Sequence, residues 1–296
     1  MRILEINQLT KKYGAIMAVN NLSLTVEAGQ IMGILGPNGS GKTTTLGLIL
    51  GIIQPKSGSY QWFEGKYGNE ERMNIGALLE TPNFYPYLNA VKNLEIVAHI
   101  KKIDDPNIDE ILEMVDLYER RQSNFRTYSY GMKQRLAIAG AMIGNPDVLI
   151  FDEPTNGLDP QGIAEVRGIV KRIADQGKTI IMASHILDEV EKVCSHVAII
   201  KKGKLLATGG VGAILSNDKQ VEVKSEDLSS LVTFLSNIPE VHKIERENGL
   251  LHLSVDESFN AASINRLAFQ NNIILTHLVV KQRSLETEFL EITGRQ

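Results

Sequence analysis

With Cys194 as its only cysteine, the chain cannot close an internal disulfide, and because that residue lies in a mostly apolar stretch it reads as a buried, inert thiol. Long hydrophobic runs are also missing: nothing approaches the roughly 18 consecutive apolar residues that a transmembrane helix needs. Met1-Arg2-Ile3-Leu4-Glu5 opens a strand rather than a signal peptide, so the chain is expected in the cytoplasm. Neither sign of charge dominates, with 31 Lys and Arg against 35 Asp and Glu, and there are no sustained heptads. A basic nucleic-acid surface and a long coiled coil are thereby disfavoured. A hydrophobic content of 43% over 296 residues excludes disorder and suits one large domain with a smaller one attached.

Against these absences stands the run Gly36-Pro37-Asn38-Gly39-Ser40-Gly41-Lys42-Thr43-Thr44, between the apolar strand Ile31-Met32-Gly33-Ile34-Leu35 and a helical pattern through Leu46, Leu48, Ile49 and Leu50. This is a complete phosphate-binding loop in strand-loop-helix context. Its glycines let backbone N–H groups point at phosphate oxygens, and the helix N-terminus adds partial positive charge. Lys42 reaches the terminal phosphates, and the Thr43 hydroxyl can join a Mg2+ shell. Further on, Val148-Leu149-Ile150-Phe151 reads as a buried parallel strand ending in Asp152-Glu153. Ligands of open α/β sheets bind at the carboxyl ends of strands, so Asp152 is placed to hold Mg2+ or its water while Glu153 faces an attacking water. The two motifs together point to a nucleoside triphosphatase.

These residues resemble the ATP-binding subunit of ABC transporters, and further segments match that family one by one. Its signature segment is present in divergent spelling as Tyr128-Ser129-Tyr130-Gly131-Met132-Lys133-Gln134-Arg135, directly ahead of the carboxylate strand. Ser129 can cap the following apolar helix, leaving N–H groups aimed at a phosphate. Gly157-Leu158-Asp159-Pro160 matches the family's D-loop, and Ala183-Ser184-His185 its switch histidine. The resemblance implies that His185 holds the γ-phosphate and water. It also implies that Tyr13, in Lys11-Lys12-Tyr13-Gly14 between strands 3–9 and 19–26, stacks on adenine, and that Ser129 and Gly131 cap the ATP held by a second copy. One departure stands out: the family usually carries a Gln after the strand at 73–79, where this chain has Glu80 in Leu79-Glu80-Thr81-Pro82. A carboxylate there becomes a candidate Mg2+ ligand beside Thr43 and Asp152, although it adds negative charge to the site. That acidic variant resembles the ATP-binding subunits of lantibiotic and bacitracin-type immunity exporters.

The fold class expected is α/β: a P-loop ABC-type ATPase core over 1–216 with a helical insert at about 82–145, followed by a small α+β, ferredoxin-like unit over 217–296. The boundary rests on the polar break Ser216-Asn217-Asp218-Lys219, and the second unit on a βαββαβ order of strands near 221–223, 241–245, 250–255 and 273–280, with helices near 228–235 and 261–270. No catalytic constellation falls in it, which motivates a dimer-support or regulatory role. Pro82-Asn83-Phe84-Tyr85-Pro86-Tyr87-Leu88 offers aromatics beside Glu80 that either meet a partner or pack inside.

The expected function is an ATP-hydrolysing subunit, catalytic through Glu153, His185 and Lys42, with Mg2+ accompanying ATP. Its partners would be a second copy in a homodimer and integral-membrane permease subunits on the cytoplasmic face of the cell membrane, and no nucleic acid. The resemblance implies export of a peptide antibiotic or similar toxic compound. Two alternatives stay open: a soluble ABC-type ATPase acting on nucleic acid or ribosomes, and a P-loop phosphoryl transferase, which would leave Ser129, Asp159 and His185 unexplained.

Overall fold

The apolar runs at 31–35, 148–152 and 179–184 are buried along their length because they lie side by side in the middle of a parallel sheet. The structure, a computed structural model, describes residues 1–214, 219–256, 259–281 and 284–294. The chain divides into two compact units, Met1–Val211 and Gly212–Gln296. The polar break at Ser216, Asn217 and Asp218 lies outside the described residues.

The first unit opens with β1 (Arg2–Tyr13) and β2 (Ile16–Glu27), followed by β3 (Ile31–Leu35), α1 (Lys42–Ile49) and β4 (Ser57–Trp62). After β5 (Ile75–Leu78) comes the helical insert: α2 (Ala90–Lys101), α3 (Ile108–Met114) and α4 (Tyr130–Met142). The chain then alternates through β6 (Val148–Asp152), α5 (Pro160–Asp175), β7 (Thr179–Ser184), α6 (Leu187–Val193), β8 (His196–Lys201) and β9 (Lys204–Gly210). Two sheets result. β2-β1-β4 is antiparallel, and the six-stranded sheet has the order β5-β6-β7-β3-β8-β9, parallel except for β9. The two sheets share one apolar core with α1, which includes Leu46, Leu48 and Ile49 together with Ile6, Val26 and Ile34. Trp62 is fully buried there and donates its indole N–H to the Ile49 carbonyl at 2.8 Å.

This order decides where chemistry can happen. β3, β7 and β6 are neighbours, in register Leu35↔Ser184 and Asp152↔Ala183, so whatever follows each of them converges at one edge. Gly33 makes a second demand: a Cβ there would stand 2.5 Å from Val190 Cγ1, so the absence of a side chain lets α6 press directly on β3. Cys194 follows α6 and is buried, and burial pushes its thiol up to about 12. The folded chain is therefore expected to leave a thiol reagent at pH 8 unconsumed, with one equivalent taken up on unfolding in guanidinium; stoichiometric labelling of the native chain would contradict this burial.

The second unit contains α7 (Val211–Ile214), which straddles the division, then β10 (Lys219–Ser225), α8 (Leu228–Leu235), β11 (Val241–Glu247), β12 (Leu250–Val255), α9 (Ala261–Gln270), β13 (Leu275–Lys281) and α10 (Leu285–Gly294). Its antiparallel sheet has the order β11-β12-β10-β13, the arrangement that a βαββαβ chain adopts in a ferredoxin-like sandwich. Val221, Val223, Leu251 and Leu253 alternate inward against Leu231, Leu235 and Ile264 of the two helices. β13 begins two residues later than the apolar run at 273 suggests, because Ile273 N–H is spent on the Ala268 carbonyl at the end of α9, at 2.9 Å.

Candidate functional site

The loop after β3 is shaped by backbone. Gly41 precedes α1 with φ 108, a left-handed conformation, and a Cβ there would lie 2.3 Å from the Ala18 carbonyl oxygen, so glycine answers both to the dihedral and to the close approach of β2. As N-cap it supplies no side chain to accept from the first turn of α1, which leaves those N–H groups open to an anion. Pro37 accepts from Ser40 N–H at 3.0 Å, and the Ser40 carbonyl accepts from Gly203 N–H at 2.8 Å, which ties the loop to the β8–β9 turn. Gly203 was not singled out from sequence, and its place in the turn Lys201-Lys202-Gly203-Lys204 is the only trace of this support.

Lys42 leaves the first position of α1 and turns back, donating from Nζ to the Gly36 carbonyl at 2.8 Å, and is 6% exposed. Glu153 answers it from the end of β6, with Oε1 3.3 Å from Lys42 Nζ. Its other oxygen, Oε2, lies 2.8 Å from His185 Nδ1 and accepts from His185 N–H at 3.3 Å. Glu153 has φ 50, in the left-handed region that a side chain rarely adopts, while its own N–H is bonded to the Ala183 carbonyl of β7 at 3.0 Å. That strained backbone belongs to a residue whose carboxylate is aimed at the loop. The carboxylate therefore bridges the lysine and the histidine, a contact that sequence reasoning missed.

Asp152, one residue earlier, is buried and its hydroxyl neighbour is Thr43. Burial pushes its carboxyl above the usual carboxylate range; the Thr43 hydrogen bond and Lys42 pull it down, and the nearby charges of Glu153 and Glu80 push it up. Asp152 Oδ1 has no hydrogen-bond partner among the described residues. A buried, unpartnered carboxylate oxygen beside a threonine hydroxyl fits a hard divalent ion. No group of three His, Cys, Asp or Glu among the described residues could hold a metal alone. The donor set thus suits Mg2+, which is commonly held by one or two carboxylates together with substrate phosphates. Glu80 lies just past β5 with φ 60, exposed, and near enough for its charge to act on Asp152.

Tyr13 sits at the tip of the β1–β2 hairpin, opposite Ile16, rather than in a longer loop: the two strands run on to a turn at Gly14, which has φ 55. Its ring is 47% exposed, with Lys11 Nζ 5.2 Å from the ring centroid. Ser129 caps α4 by accepting from Met132 N–H at 3.2 Å, and Asp159 caps α5 by accepting from Gly162 N–H at 2.8 Å, with Pro160 at the first position of that helix. The D-loop and the signature segment lie side by side: a Cβ added at Gly131 would stand 3.7 Å from Leu158 Cδ2. Among the described residues, no hydrogen bond or ion pair joins Ser129 or Gly131 to the 36–44 loop. The aromatic run divides. Phe84 packs on Phe125 at 5.4 Å between ring centroids, whereas Tyr85 and Tyr87 are 50% and 65% exposed.

Comparisons with known proteins bear on the family. The family model "ABC transporter" matches residues 19–156. The chain is similar to the bacitracin transport ATP-binding protein BcrA of Bacillus licheniformis, 38% identical over 99% of this chain and 97% of that protein. It is also similar to the lantibiotic transport ATP-binding protein SrtF of Streptococcus pyogenes, 37% identical over 69% of this chain and 89% of that protein. Among solved structures, the ATP-binding cassette MJ0796, in a dimeric post-hydrolysis state bound to ADP and Pi, matches with a TM-score of 0.61 and 25% identity over 71% of this chain and 99% of that one. With the phosphate loop, the carboxylate strand and the histidine brought to adjacent strand ends, and with relatives similar over their whole length, the chain belongs to the ATP-binding subunits of ABC transporters.

Proposed function

We propose that this chain hydrolyses ATP to power a membrane exporter that removes a peptide antibiotic or a similar toxic compound. The observation that carries the reading is the convergence of Lys42, the Thr43–Asp152 pair and the Glu153–His185 pair at the ends of three adjacent strands. Gly36 to Thr44 wrap the phosphates and Tyr13 stacks on adenine, a contact worth about 1–3 kcal/mol for a stacked base. Asp152, Thr43 and Glu80 would hold Mg2+, which neutralises charge on the phosphates when bound. Glu153 orients and polarises water for in-line attack on the γ-phosphate, and His185 holds that carboxylate and the phosphate in place. Ser129 and Gly131 of a second copy close over the nucleotide beside the partner's D-loop, so two copies make two equivalent sites.

Substrate choice belongs to permease subunits, and the bacitracin and lantibiotic relatives support an antibiotic as cargo. The exposed Tyr85 and Tyr87, on the insert beside Glu80, are the surface offered to those subunits. Among the described residues no helix is long and apolar enough to cross a membrane, and attachment to the cytoplasmic face through the permease supplies that location. The unit over 217–296 carries a dimer-support or regulatory role, which predicts that its deletion changes dimerisation, permease assembly or ATPase control.

The test is the product balance: purified chain and ATP should yield ADP and free phosphate with no acceptor present, and chelation of Mg2+ should stop the reaction. Phosphate appearing only on a second substrate would identify a phosphoryl transferase instead. Glu80→Gln sharpens the metal assignment. Removing one carboxylate from the ion's surroundings is expected to raise the Mg2+ concentration for half-maximal ATPase by about threefold to tenfold, since affinity for hard cations follows ligand charge. An unchanged Mg2+ titration would remove Glu80 from the metal site.

A further inference from the structure

Two helices leave the catalytic edge of the sheet, α5 behind the D-loop and α6 behind His185, and an ion pair between a partly exposed arginine and a buried carboxylate connects them: Arg167 Nη1 lies 3.2 Å from Glu189 Oε1. We propose that this Arg167–Glu189 pair is a positioning device that sets His185 against Glu153 and ties it to the helix that Asp159 caps. The inference rests on the role given to His185 above.

The position of Glu189 is unusual for a carboxylate. Its side chain is 8% exposed, and Oε2 has neither solvent nor a hydrogen-bond partner among the described residues, so Arg167 is the cation that answers its charge. Burying the carboxylate of such a pair is a poor way to stabilise a fold, because its desolvation offsets much of the attraction, and well-packed apolar residues do as well. What the pair does provide is a fixed geometry between two elements. α6 needs one. It spans seven residues, and Ile186, at its N-cap, offers no side-chain cap. Its later residues Val190 and Val193 are buried, Val190 against β3 at Gly33. Its first turn, four residues past His185, is held across to α5 by Glu189. On the other side of His185, Ser184 is fully buried and its Oγ accepts from Ile186 N–H at 3.0 Å. His185 is thus strung between two anchors, and its ring meets Glu153 at 2.8 Å. The second anchor leads to α5 two turns after Asp159, so the histidine and the D-loop share one rigid support.

The experiment compares kcat and KM for ATP in the full chain carrying Arg167→Met, Arg167→Lys or Glu189→Gln, each with His185 present and in the His185→Ala background. With His185 present, Arg167→Met and Glu189→Gln are expected to lower kcat by about tenfold or more, the scale on which a small misplacement acts, with KM within about twofold. Arg167→Lys should recover most of the loss, and none of the three should cost anything further once His185 is gone. An equal loss in both backgrounds, or a loss confined to thermal stability, would overturn the positioning role. Full turnover by His185→Ala alone would instead overturn the reading of His185, a separate result. Glu189→Gln carries no buried charge, so it keeps the test open if Arg167→Met fails to fold.

Discussion

Glu153→Gln is expected to lower turnover by a factor of about 10² to 10⁴ while ATP binding is retained or tightened, because the substitution removes a general base but keeps its shape. The Glu153 carboxylate lies between Lys42 Nζ, at 3.3 Å, and His185 Nδ1, at 2.8 Å, two groups proposed to meet the γ-phosphate. A carboxylate in that place competes with the incoming phosphate for the same donors and repels its charge. Gln takes the same volume without the charge, so Lys42 is released at lower cost and the nucleotide meets one anion fewer beside Asp152 and Glu80. The hydrolytic step then lacks a group to draw the proton from water. Bound ATP should accumulate and hold two copies together, so light scattering should register a doubled mass with ATP and the single-chain mass without it. Undiminished phosphate release by this variant would show that Glu153 is not the base and that its contact with His185 serves the fold alone.

The site could be read from sequence where the chemistry lies in short contiguous runs. Gly36 to Thr44 and Asp152-Glu153 each follow a strand of apolar residues with no polar alternation, and such strands are buried on both faces with their ends at the ligand edge. What was not legible depends on the backbone or on distant pairs. In sequence Tyr13 falls between the apolar runs 3–9 and 19–26, yet β1 and β2 have solvated outer faces there and continue pairing to the turn. Phe84, Tyr85 and Tyr87 read alike as aromatics, and only the packing of Phe84 on the buried Phe125 separates the half-buried ring from the exposed ones. The left-handed φ of Glu153 leaves no composition signal; it occurs where the Glu153 N–H pairs with the Ala183 carbonyl of β7, a neighbour set by the fold. Arg167 and Glu189 are 22 residues apart on two helices, and each by itself resembles an ordinary polar face.

Ser129→Arg is expected to leave the single chain folded and able to bind ATP while reducing turnover by about a hundredfold or more. Within one chain Ser129 does little: it is exposed, and its hydroxyl accepts from Met132 N–H at 3.2 Å to cap α4. Loss of that cap costs about 0.5–2 kcal/mol, too little to unfold a helix whose Leu136, Ile138 and Ala139 are buried. The side chain that replaces it projects from the face where a second copy must bring its phosphates, and blocks the approach of the α4 N-terminus. In the Glu153→Gln background the same change should abolish the ATP-dependent doubling of mass, although nucleotide affinity of the single chain is kept by Lys42 and Tyr13 on the other motif. The sharper measurement mixes two inactive proteins, Ser129→Arg and Lys42→Met. If each nucleotide lies between the 36–44 loop of one copy and the Ser129 cap of the other, the mixed dimer regains one site in which both halves are intact, and ATPase activity reappears on mixing. If instead Ser129 served the loop of its own chain, both sites of every mixed dimer would carry a defect, and the mixture would stay as inactive as its components.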